Sequence, residues 1–166
     1  MRVLLAGGGC RGLRLVRELT SEGHAVRVVT RSEARRAEIE DAGGECWIGD
    51  PDRVGSIRYA LDNVTIVVWA LGTAIGDADK VEALHGSRLT MLLERTIDTT
   101  ARGFVYEAAG SVGAASLARG SAEVRRLCRL NEVPYALLDA DPSDGEEWAT
   151  AARAAIDELL ERDRGT

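Results

Sequence analysis

Six short runs of aliphatic and β-branched residues recur along the chain, at Val3–Ala6, Ala25–Thr30, Glu45–Ile48, Val64–Ala70, Gly103–Ala108 and Pro134–Asp139. Between them lie longer stretches with helical spacing, Leu13–Ser21, Ser32–Ala42, Asp52–Leu61, Lys80–Ala101, Ser116–Asn131 and Asp144–Arg162. This alternation predicts a single doubly wound α/β Rossmann domain, a six-stranded parallel sheet in the order 3-2-1-4-5-6 with helices on both faces. Val64–Ala70 is apolar almost throughout, as suits a central strand buried on both faces. Leu84, Leu89, Leu92, Leu93 and Ile97 form one apolar stripe on the fourth helix. Trp148, Ala152, Ala155, Ile156 and Leu159 form another on the last, which either covers the sheet or pairs two copies of the chain in a homodimer. Gly23 and Gly43 read as helix stops, Ser32 and Asp144 as N-caps. The domain is expected to span residues 1–163, with 164–166 as a short tail.

Composition narrows the class. A chain of 166 residues, 45% hydrophobic and 29% charged, is large enough to bury a core without disulfides or a structural metal. Its three cysteines, Cys10, Cys46 and Cys128, are widely spaced, and the two histidines, His24 and His85, lie far apart, so no metal site is expected. Unpaired cysteines point to a reducing compartment, and no signal-peptide layout precedes the first strand; the expected location is the cytoplasm. A net charge of −6 argues against nucleic acid as the main partner, and no apolar run is long enough to span a membrane. Lys80 is the only lysine, which reads as a compositional bias toward arginine.

The chemistry begins where the first run meets Gly7-Gly8-Gly9-Cys10-Arg11-Gly12 and a helix follows at once. Gly7-x-Gly9-x-x-Gly12 between a strand and a helix is the dinucleotide-binding arrangement. Gly7 permits the tight turn, Gly9 lets backbone approach a pyrophosphate, and Gly12 lets helix and strand pack closely. Free N–H groups and the positive end of the helix dipole complete an anion site, to which Cys10 and Arg11 are also assigned. The loop holds no lysine, which excludes a P-loop. About 20 residues beyond it, where NAD enzymes place an acid for the ribose hydroxyls, the chain has Thr30-Arg31-Ser32. A guanidinium there suits a 2′-phosphate, so Arg31 and Ser32, reinforced by Arg35 and Arg36, favour NADP(H) over NAD(H). Glu33 remains the alternative, as a ribose-binding acid.

With this loop, Gly49-Asp50 after the third strand, Ala70-Leu71-Gly72 after the fourth, Phe104-Val105-Tyr106 in the fifth and Val133-Pro134-Tyr135 entering the sixth, the chain resembles the atypical short-chain dehydrogenases/reductases. The resemblance is to their NAD(P)H-binding group, with its NmrA-like, epimerase-like and small flavin or biliverdin reductase members. It implies that Asp50 lies beside the adenine and that Leu71 and Gly72 line the ribose and nicotinamide side. The loop departs from the family form by placing Ala6 where a glycine usually begins it. A second departure is catalytic. Active members of the wider superfamily use Tyr-x-x-x-Lys, whereas Tyr59, Tyr106 and Tyr135 are followed four residues on by Asn63, Gly110 and Asp139. The family's strand-five serine is replaced by Ala108-Ala109, and the nearest hydroxyl, Ser111, is the one weak catalytic candidate.

Other constellations carry less. Ala109-Gly110-Ser111-Val112-Gly113 approaches a nucleophile elbow, but no histidine follows it. Cys10 sits where a thiol pKa is lowered, but a small residue chosen for a tight loop is the preferred reading. His85 reads as a surface or crevice residue, and Asp139, Asp141, Asp144, Glu146 and Glu147 as a solvated acidic run. The expected function is a small NADP(H)-dependent oxidoreductase acting on a small molecule the sequence does not identify. The alternative is a non-catalytic NADP(H) sensor acting through a protein partner.

Overall fold

Residues 1–165 are described by the structure, a computed structural model. The strands are β1 (Arg2–Gly7), β2 (Ala25–Thr30), β3 (Glu45–Ile48), β4 (Ile66–Ala70), β5 (Gly103–Glu107) and β6 (Tyr135–Leu138). All neighbours pair parallel, in the order β3-β2-β1-β4-β5-β6, as the alternation predicts. The helices are α1 (Gly9–Ser21), α2 (Arg36–Asp41), α3 (Ala78–Leu84), α4 (Ser87–Ile97), α5 (Ala114–Leu130) and α6 (Gly145–Arg164). Ser32 and Asp144 accept the capping N–H bonds expected of them, from Ala34 and Glu147.

Two apolar layers sandwich the sheet. Leu15, Val16 and Leu19 of α1, Ile39 of α2 and Trp148, Ala152, Ile156 and Leu159 of α6 pack on one face against Val3, Leu5, Val68 and Val105. On the other, Leu89, Leu92 and Leu93 of α4 and Val124 and Leu127 of α5 pack against Leu4, Val67, Trp69 and Phe104. Every residue of β4 is buried, as its unbroken apolar run requires. The α6 stripe is consumed in covering the sheet, so a homodimer would have to use another surface.

Several element boundaries differ from the sequence expectation. Helix α1 starts at Gly9 rather than Leu13, because the glycine turn closes early: Gly12 N–H already bonds to the Gly8 carbonyl at 2.9 Å. Asp52–Leu61 forms two 3₁₀ turns, Val54–Ile57 and Tyr59–Leu61, short enough to bury Val54, Ile57, Ala60 and Leu61 without a full helix. The long helix expected over Lys80–Ala101 breaks at His85-Gly86 into α3 and α4. Helix α6 continues through Arg164, so the expected tail begins inside it, and Thr166 lies outside the described residues. Among the described residues no helix is long and apolar enough to cross a membrane.

Candidate functional site

The carboxyl ends of β1 and β4 meet at Gly7 and Ala70, where the sheet order reverses. Gly7, Gly8 and Gly9 take φ values of 83°, 90° and 51°, a left-handed run that only glycine follows without strain. A Cβ on Gly7 would strike the Ala70 carbonyl oxygen, and Gly8 N–H bonds to that same oxygen at 2.9 Å. Gly12 packs against Leu5 of β1, the close helix–strand contact expected of the third glycine. Gly9 instead has nothing within 4 Å of where a Cβ would stand, so its backbone borders open space. The amides of Gly9, Cys10 and Arg11 precede the first bonded turn of α1 and have no acceptor within the helix.

Beside this loop lies a cavity of about 500 Å³. Gly7, Val29 and Leu71 line it beneath, Thr30, Arg31, Ser32 and Arg35 along the β2 end, and Asp50, Pro51 and Asp52 along the β3 end. Residues of the β4–α3 segment, Ala74 to Asp77, and Lys80, Val81 and Leu84 of α3 form the opposite wall. The structure thus brings together Gly7, Arg31, Ser32, Asp50 and Leu71 from four separate loops. Asp50 holds its own turn, with Oδ1 accepting from Asp52 N–H at 2.9 Å. Glu33 does not line the cavity; it is paired with Arg36 at 2.7 and 2.9 Å, so Arg36 is likewise drawn away from the patch.

Arg11 departs from its assignment. Its guanidinium turns inward to Glu107 at the end of β5, with contacts of 2.6 and 3.0 Å, and lies over the Trp148 ring at 5.2 Å. The Glu107 carboxylate is fully buried, so pairing with a cation is what makes its charge tolerable there. Arg11 therefore offers the loop its backbone N–H and not its charge. Gly72 is also committed, its N–H donating to Glu107 Oε1 at 2.7 Å and its carbonyl accepting from Val112 N–H at 3.0 Å. A Cβ there would strike the Ala109 carbonyl, so the loops after β4 and β5 cross in backbone contact. Ser111 is exposed on the β5–α5 loop, and neither it nor Gly72 lines the cavity.

His85, expected at the surface or in a crevice, is 1% exposed. Its Nε2 lies 2.9 Å from the Leu71 carbonyl, which can only accept, so Nε2 carries the proton and Nδ1 accepts from the Tyr106 hydroxyl at 2.6 Å. Burial pushes the His85 pKa down, with the Leu71 carbonyl and the Glu107 charge partly offsetting it; burial, and then Glu107, push the Tyr106 phenol up. The Leu71–Gly72 peptide is thus clamped on both sides, its C=O by His85 and its N–H by Glu107. Sequence reasoning missed both clamps and the cavity-lining Lys80; the only trace of the last was that the chain has a single lysine. Cys10 is exposed, and Cys128 is buried with its thiol pushed up to about 11. Among the described residues no cluster of His, Cys, Asp and Glu could hold a metal ion.

This fold and site define a class, the Rossmann-type binders of nicotinamide dinucleotides. The family model described as NAD(P)H-binding matches residues 7–133, and the chain belongs to that family. No curated relative matches the chain by sequence. Among solved structures it is similar to BdcA from E. coli, at 16% identity and a TM-score of 0.72 over 92% of this chain and 88% of that one. A short-chain dehydrogenase/reductase superfamily protein from Agrobacterium tumefaciens with bound NAD gives 19%, 0.69, 100% and 64%. UDP-glucuronic acid 4-epimerase from Bacillus cereus in complex with NAD gives 13%, 0.69, 85% and 56%. The chain spans roughly half to two thirds of the length of the first five structures matched. These likenesses show a shared Rossmann-like α/β fold.

Proposed function

We propose that this chain is a small NADP(H)-binding reductase of the atypical short-chain type, working in the cytoplasm without a Tyr-x-x-x-Lys pair. The observation that carries the reading is the convergence of Gly7, Arg31, Ser32, Asp50 and Leu71 on one cavity beside the open start of α1. The residues suit the cofactor. The amides of Gly9, Cys10 and Arg11 would hold the pyrophosphate, Arg31 and Ser32 the 2′-phosphate and Asp50 the adenine side, with Leu71 on the ribose and nicotinamide side. When bound, NADPH supplies a hydride for a carbonyl, quinone or flavin acceptor. The chain's own part is binding and orientation, since the Tyr106 hydroxyl is spent on His85 and Glu107 on Arg11.

That commitment of Glu107 and Tyr106, with alanines at 108 and 109, favours a second reading: a sensor of the NADP(H) state that passes it to a protein partner without turnover. Calorimetric titration with NADPH, NADH, NADP and NAD tests the shared premise. NADPH is expected to bind more tightly than NADH, and Arg31→Gln to weaken NADPH by roughly tenfold, the worth of one charge-assisted hydrogen bond. Binding of none of the four overturns both readings. Consumption of NADPH with an acceptor panel selects the reductase; a redox-dependent oligomer or partner affinity without turnover selects the sensor.

A further inference from the structure

The wall of the cavity opposite Arg31 belongs to α3, and the one cation on that wall is Lys80. It is the only lysine among the chain's 21 lysines and arginines. We infer that Lys80 is the second phosphate-binding prong of this cavity, reaching across it to the same 2′-phosphate that Arg31 meets from the β2 end. This inference rests on the NADP(H) reading and adds the residue that sets its specificity.

The charges around the cavity lead to Lys80. Arg35, which also lines the cavity, is ion-paired with Glu38, and Asp52 is paired with Arg88 at 3.2 Å. Asp50 and Asp77 each turn an oxygen to a backbone N–H, of Asp52 at 2.9 Å and of Asp79 at 3.0 Å. Arg31 and Lys80 are the two cavity-lining cations with no ion pair among the described residues. Asp50 and Asp77 balance these two cations in net charge, but their oxygens are turned to backbone N–H groups, so Arg31 and Lys80 keep their own donors for an anion that enters the cavity.

The two prongs differ in kind. Arg31 presents a planar fork at a strand end, whereas Lys80 is a compact charge on a flexible stem with three donors. Such a stem suits a group that must close on a phosphate after it enters. Its base is fixed: Trp69 Nε1 donates to the Leu84 carbonyl at 2.9 Å, His85 is bonded to the Leu71 carbonyl, and Asp77 caps α3. Helix α3 is therefore tethered at its C-terminal end, with Lys80 exposed on it. Asp50 and Asp77 supply the opposing chemistry, because either could accept from an unphosphorylated ribose, and the test must separate these outcomes.

Calorimetry with adenosine 2′,5′-bisphosphate, adenosine 3′,5′-bisphosphate, AMP, NADPH and NADH on the wild type, Lys80→Gln, Lys80→Arg and Arg31→Gln tests the inference. Lys80→Gln is expected to weaken the 2′,5′-bisphosphate and NADPH by roughly tenfold, as for a lost charge-assisted bond, and to leave AMP and NADH within about twofold. Lys80→Arg should keep most of the affinity. Equal losses for all ligands would place Lys80 on the pyrophosphate and overturn the inference, as would no loss at all or equal binding of the two bisphosphates. Binding of NADH and AMP with no gain from a 2′-phosphate would sink this inference and leave the dinucleotide reading standing. Failure of every nucleotide to bind would remove both. Lys80 is exposed, so an unchanged thermal melt will show that the variants fold.

Discussion

Glu107 shows how one side chain can organise a site it does not line. Its carboxylate joins β5 to the glycine loop through Arg11 and to the β4 turn through Gly72 N–H. Both members of the pair are withdrawn from water, so removing one charge strands the other. Glu107→Gln is expected to destabilise the protein by about 3 kcal/mol or more, read as a lower midpoint in urea unfolding. Replacing both residues by methionine should recover most of that loss, because no buried charge is then left unpaired. An equal loss in the single and double variants would show that the contacts, and not the charges, matter. Glu107 was invisible in the sequence because Arg11 lies 96 positions away. Local spacing gave every reason to aim Arg11 at phosphate. The glycines were legible because their requirement is local: a left-handed turn and a close helix contact are written in consecutive residues.

At the scale of elements, the break between α3 and α4 is the feature that the apolar pattern conceals. Leu84, Leu89, Leu92 and Leu93 keep a helical period across it, and periodicity does not register one displaced turn. Gly86, a poor helix former, becomes the N-cap of α4, and His85 at the end of α3 turns inward to Tyr106 and Leu71. A neutral ring is required there, because a protonated Nδ1 could not accept from Tyr106. The His85 pKa is lowered by burial below its ordinary value of 6.5. Its contribution is therefore fully present above about pH 6.5 and is lost as the pH falls toward the depressed value, where the unfolded chain alone gains the proton. Denaturant midpoints between pH 8 and pH 5 should fall for the wild type and stay flatter for His85→Gln. Parallel curves would show that His85 does not titrate between the two states.

For the whole molecule, the cavity and the sheet stability are linked by mass action. A ligand bound by Gly7, Arg31, Asp50 and Lys80 engages the loops after β1, β2 and β3 and helix α3 at once, an arrangement the unfolded chain lacks. NADPH at about 100 times its dissociation constant should add about 2.7 kcal/mol, raising the melting temperature by roughly 5 to 10 °C. A melt unmoved by NADPH up to millimolar concentration would count against the dinucleotide reading.

What the sequence determined by itself was whatever depends on neighbours along the chain. The alternation of apolar runs, the glycine turn, the caps at Ser32 and Asp144 and the strand order follow from periodicity, backbone sterics and the right-handed rule for parallel crossovers. Only the tertiary structure decided which charges meet. Arg11 went to Glu107, Glu33 to Arg36 and His85 to Tyr106, while Arg31 and Lys80 on the cavity walls have no ion pair among the described residues. The physical reason is that a buried or ion-paired charge is settled by its nearest partner in space, and contacts such as that of Arg11 with Glu107 join residues far apart in the chain.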